Sequence, residues 1–167
     1  STDQVISSTL EQLVAKRVEW EEGQFYRCNQ SLYSILADCY EIFQNMKGVS
    51  QTDRVYKQAF FRVCKAKGYV FKDSTHLMVR VVKYVFGIED SKRISAYAMA
   101  LRVAAEAGIK TQDIAEYLLI NGGPEEIRRN KGKKPNLKNG LSDSESSAMS
   151  NEEKGRAAIY GDVLASI

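Results

Sequence analysis

The chain is poor in the residues that usually advertise chemistry. Its 167 residues include one histidine and three cysteines, and only two prolines. The lone histidine, His76, has no second histidine or cysteine at ligand spacing, which argues against a zinc site. Cys28, Cys39 and Cys64 are odd in number and form no CxxC, so neither a disulfide framework nor a metal ribbon is expected. They read as reduced, buried thiols of a cytoplasmic protein. No apolar run reaches the roughly 18 residues of a membrane span. The opening Ser1-Thr2-Asp3-Gln4 has neither the basic nor the apolar region of a signal peptide.

Enzyme signatures are missing too. Gly122-Gly123 is not followed by the Lys-Ser/Thr of a phosphate-binding loop, and no serine stands in a GxSxG context. The carboxylate pairs Glu21-Glu22, Glu125-Glu126 and Glu152-Glu153 are adjacent in sequence, and neighbours on a helix do not face each other. No catalytic residue, cofactor or metal is expected.

What is present is helical. Scarce proline, frequent Ala, Leu, Lys, Glu and Gln, and apolar residues at spacings of three and four predict an all-α bundle of six to seven helices. Ser7, Ser8 and Thr9 offer caps for a helix running to about Glu22. A second helix covers 24–47, and a third runs from Ser50, with Asp53 closing a capping box, to Gly68. Tyr69-Val70-Phe71-Lys72 is the one run of β-like composition and a candidate short strand. Ser74-Thr75 starts a helix to Phe86, and Asp90-Ser91 starts another to Ala107. Gly108-Ile109 has the form of a Schellman ending. Thr111 caps a short helix to Leu119, and Pro124 opens one more. Residues 1–130 form one helical domain. Residues 131–151 are a basic, then Ser-rich linker, and 152–167 are a C-terminal helical segment.

The net charge of +3 conceals strong blocks. Residues 1–46 carry −4, 47–93 carry +7, 94–127 carry −3, 128–140 carry +6 and 141–167 carry −3. Such blocks call for a polyanion partner of the basic parts, or for acidic segments that dock on them.

Three arrangements could serve a polyanion. Val103 to Ala115 has the small-residue, turn-glycine pattern of a helix-turn-helix, with Thr111 and Gln112 as base contacts. Asp113 and Glu116 on its second helix oppose that reading, because they would face phosphates. Lys67 to Lys72 followed by two helices has the order of a β-ribbon DNA reader, with Lys92 and Arg93 at a helix N-terminus. Arg128, Arg129, Lys131, Lys133, Lys134 and Lys138 form a basic tail that binds phosphate with little specificity. The expected function is that of a DNA-binding regulatory protein, dimeric, contacting duplex phosphates through these residues and Arg80 and Lys83. The competing expectation is a helical adaptor or homo-oligomeric assembly protein that uses a strip of Tyr26, Tyr33 and Tyr40. The general look resembles small helical proteins of mobile genetic elements, without a motif that carries residues over.

Overall fold

A computed structural model describes residues 1–23 and 29–131. Tyr26, Cys28, Lys133, Lys134, Lys138, the Ser-rich linker and the expected C-terminal helix lie outside the described residues.

Among the described residues seven α-helices follow in order: α1 (Thr2–Glu22), α2 (Asn29–Lys47), α3 (Gln51–Ala66), α4 (Leu77–Phe86), α5 (Ser91–Glu106), α6 (Ile114–Ile120) and α7 (Pro124–Arg129). A 3-10 turn, Thr111–Asp113, leads into α6. The all-α bundle is as expected, and among the described residues there is no strand. None of these helices is long and apolar enough to cross a membrane.

Helix α2 is the centre. It packs against α1, α3, α4, α5 and α6. Its buried residues include Leu32, Ile35, Leu36, Cys39, Ile42, Phe43 and Met46, and also Tyr33 and Tyr40. The tyrosine strip is therefore interior, at least at those two positions, and offers a partner no aromatic ladder. The Tyr40 hydroxyl donates to the Ile109 carbonyl, which removes the cost of about 1–3 kcal/mol for burying an unpaired polar group.

Helix ends follow local chemistry, with three departures from expectation. Helix α1 begins at Thr2 with a Ser1–Gln4 capping box, well before Ser7 to Thr9. Thr9 instead lies inside the helix, its hydroxyl donating back to the Val5 carbonyl at 2.9 Å. Helix α4 is capped by His76, whose Nδ1 accepts from the Met78 amide at 3.1 Å, and not by Ser74 or Thr75. Thr111 makes no side-chain cap. Elsewhere the caps are as read: Ser50 and Asp53 form the box that starts α3, and Asp90 caps α5.

Gly108 at φ +72° completes the Schellman ending of α5. The Ile109 amide reaches the Ala104 carbonyl at 3.0 Å and the Gly108 amide reaches that of Ala105 at 3.1 Å. The same construction closes α3, where Tyr69 reaches back to Cys64 past Gly68 at φ +86°. That geometry explains the missing strand. Once α3 has closed on itself, 69–72 has no neighbouring chain to pair with. The β-like residues serve instead as packing: Tyr69 and Phe71 stack on each other and sit half-buried against the core.

Gly108→Ala should lower stability by about 1 kcal/mol, because a side chain there is strained although nothing crowds it. Gly108→Asn should lose less, and urea midpoints of the two variants would rank them. His76 supplies a pH prediction. Burial, then the nearby Arg102, holds its pKa below the ordinary value of 6.5, with Glu106 opposing. Protonation would place a hydrogen on the capping nitrogen. Its contribution is thus complete above about pH 6.5 and is lost as the pH falls through the lower folded value. Urea unfolding at about pH 7 and pH 5 should show a larger acid loss for the wild type than for His76→Asn, a non-titrating cap. Equal losses would contradict the role given to His76.

Candidate nucleic-acid interface

Helix α3 carries more cations than any other helix of the described residues, and its two flanks differ. Buried Ala59, Phe60, Val63 and Cys64 turn one face onto α1 and α2. On the α1 side the cations are neutralised. Arg62 donates to both carboxylate oxygens of Asp3 at 2.7 and 2.6 Å. Lys67 donates to Glu11 Oε1 at 2.8 Å, an oxygen that also accepts from the Tyr84 hydroxyl at 2.8 Å. The hydrogen bond from Arg62 holds Asp3 below its usual pKa, and those from Lys67 and then Tyr84 do the same for Glu11. These pairs are half-exposed, so their weight in stability is small. Their effect is to cancel charge along that flank.

A third carboxylate of α1 continues the pattern. Glu21 bridges Arg17 and Arg93, each at 2.6 Å. Burial pushes Glu21 up, but the two guanidinium hydrogen bonds outweigh it and the net shift is downward. Arg17 also donates to the Val85 carbonyl at 3.1 Å, and Arg93 lies over the Phe86 ring at 5.3 Å. This cluster ties the end of α1 to the α4–α5 junction.

The other flank of α3 meets the 67–76 loop. Arg80 donates to the carbonyls of Thr75, Lys72 and Asp73 at 3.0, 3.1 and 3.3 Å. Its guanidinium lies over the rings of Phe61 and Phe71 at 5.1 and 5.6 Å. It is a pin between the loop and the two helices.

The outermost strip of α3 consists of Arg54, Gln58, Phe61 and Lys65, at successive spacings of four, three and four, with Lys57 beside Phe61. All are exposed. Among the described residues Arg54, Lys57 and Lys65 form no ion pair, and the Lys57 ammonium stands 5.9 Å from the Phe61 ring centre. The one carboxylate of α3, Asp53, is occupied with the Ser50 amide and hydroxyl at 3.3 and 2.6 Å. Lys72 is exposed in the adjoining loop.

The residues singled out from the sequence fall on four separate elements. Arg80 and Lys83 are on α4, Lys92 and Arg93 open α5, Thr111 and Gln112 are in the 3-10 turn, and Arg128, Arg129 and Lys131 end α7 or follow it. Arg80 and Arg93 are half-buried and have the internal partners just described. Arg128 pairs with Glu125 at 3.1 Å and Arg129 with Glu126 at 3.5 Å. Lys92, Gln112 and Lys131 are exposed, and Lys83 is half-buried. Helix α6, the reading helix of the helix-turn-helix expectation, has seven residues and packs on α2 through buried Ile114, Tyr117 and Leu118. Helix α7 packs on α5, whereas α3 packs on α1 and α2. Sequence reasoning placed Arg54, Lys57 and Lys65 on a polar side without making them a site. The available signal was Phe61, an aromatic at a polar position between cations.

Among the described residues no group of three histidine, cysteine or acidic side chains is arranged to hold a metal ion. Burial pushes the Cys64 thiol up to about 12 and the Cys39 thiol higher still, so both are unreactive as nucleophiles. Comparison with protein-family models, curated proteins and solved structures finds no match to this chain.

The pin and the strip separate by mutation. Arg80→Ala should destabilise the fold by about 2 kcal/mol, since it removes a ring contact and a network of carbonyl partners. Lys57→Ala and Lys65→Ala should each stay within about 0.5 kcal/mol of wild type. Urea unfolding of the three variants tests this, and an Arg80→Ala protein as stable as the lysine variants would contradict it.

Proposed function

We propose that this protein binds duplex DNA by its phosphate backbone along the outer face of α3. The basic stretch beginning at Lys131, with Lys133 and Lys134, acts as a second, non-specific contact. One observation carries the reading. Arg62 and Lys67, which follows α3, are matched by carboxylates of α1, whereas Arg54, Lys57 and Lys65 are exposed and form no ion pair among the described residues, the one carboxylate of α3, Asp53, being held by Ser50. Like charges collected on one face repel each other in the free protein, and that repulsion is relieved when phosphates approach and counterions are released. From Arg54 to Lys65 the strip spans about 16 Å at 1.5 Å per residue, enough to meet several phosphates. A dimer would set two such faces on one duplex.

Fluorescence anisotropy with a labelled duplex at about 50 and 200 mM salt tests the proposal. Affinity should fall steeply with salt. In the double variant Lys57→Ala/Lys65→Ala the log–log slope should be shallower by about two. Absence of binding at the lower salt, or an unchanged slope in the variant, would overturn it.

A further inference from the structure

Phosphate contact leaves unexplained why the crest of α3 alternates charge with an amide and an aromatic ring. The crest runs Arg54, Gln58, Phe61, Lys65, directly opposite buried Ala59, Phe60, Val63 and Cys64. Phe61 is 37% exposed, the one aromatic among the large hydrophobic side chains exposed in the described residues. Solvation of such a ring is unfavourable, and Arg80 and Lys57 approach its face without covering it. The side chains of Arg54 and Gln58 form no hydrogen bond within the described residues, so their donors and acceptors are open.

We infer that α3 lies in the major groove of duplex DNA and reads base edges through Arg54, Gln58 and Phe61. This rests on the phosphate-binding reading above and deepens it. The chemistry of each side chain matches one feature of the groove. An arginine donates in parallel to guanine O6 and N7, a glutamine amide pairs with adenine N6 and N7, and an apolar ring meets the thymine methyl. Lys57 and Lys65 then serve the flanking phosphates. The helix has the required size: its diameter of about 10–12 Å suits a groove about 12 Å wide. Charge complementarity selects this face over that of α6, where Glu116 is exposed and Asp113 stands at the helix start. It also favours duplex over single strand. Single-strand sites use several open aromatic faces, whereas here Tyr69 and Phe71 are stacked together and half-buried.

The test is selection from a random-sequence duplex pool, followed by titration of the recovered duplex and a scrambled one. Arg54 and Gln58 are one helical step of about 6 Å apart. The recovered sites should therefore share a guanine and an adenine within about two base pairs. The wild type should prefer the recovered duplex by tenfold or more. Gln58→Ala should lose about five- to a hundredfold on the recovered duplex and tolerate any base at the adenine position. Arg54→Ala should do the same at the guanine. Lys65→Ala should weaken both duplexes equally. Binding without preference between the two duplexes would overturn base reading and leave the phosphate-binding reading intact. A preference that survives both Arg54→Ala and Gln58→Ala would overturn the assignment to α3. Failure to bind any duplex would overturn both readings.

Discussion

Burial of one broad face of α2 is the constraint from which the architecture follows. Nine of its residues, gathered on that face opposite exposed Ser34, Glu41 and Asn45, are removed from solvent, including two tyrosines. Five other helices cover it, and α1, α3, α5 and α6 each have a buried face and a free one, whereas no residue of α4 is exposed. Helix α3 shows the division clearly. Four residues attach it to the core, and the opposite side is exposed, with Phe61 meeting the Arg80 guanidinium. Tyr40 illustrates how closely the surrounding elements are specified, since its hydroxyl has one acceptor, the carbonyl that follows the turn after α5.

Charge is distributed by the same packing. Helix α1 carries three carboxylates, Asp3, Glu11 and Glu21, that each meet a cation of the basic middle block: Arg62, Lys67 and Arg93. Arg80 is satisfied differently, by backbone carbonyls and aromatic rings. A modest net charge is thus compatible with a strongly uneven surface. What matters for a polyanion is the charge left after internal pairing, and the crest of α3 with Lys72 beside it gathers several such cations, while Lys92 and Lys131 are exposed on other elements. Half-exposed ion pairs contribute little to stability, so the arrangement is better understood as shaping the field around α3 than as holding the fold together.

Much of this fold is legible in the sequence, because helix ends are written in local chemistry. Ser50, Asp90, Gly108 and Pro124 act where their residue types predict. The start of α1 was obscured because Ser7, Ser8 and Thr9 are cap residues that also fit inside a helix, Thr9 by bonding back to Val5. His76 is an unusual cap, and the Phe43 ring stacks against it at 5.8 Å. Tyr69 to Lys72 looked like a strand because aromatic and branched residues suit both strands and half-buried loops. The site was less legible for a simple reason. Asp3 meets Arg62 and Glu11 meets Lys67 across more than fifty residues of chain, and no local pattern reveals which cations will be neutralised. Block sums of charge therefore do not separate Arg93, which pairs with Glu21, from Lys57, which forms no ion pair among the described residues.

The central claim is that the outward crest of α3, and not α6 or the end of α7, meets the nucleic acid. Amide chemical-shift mapping during titration with a short duplex tests it most directly. The account predicts that the largest changes fall on Arg54, Lys57, Gln58, Phe61 and Lys65, with a second group at 70–72. Changes concentrated on 111–120, with α3 unaffected, would contradict it.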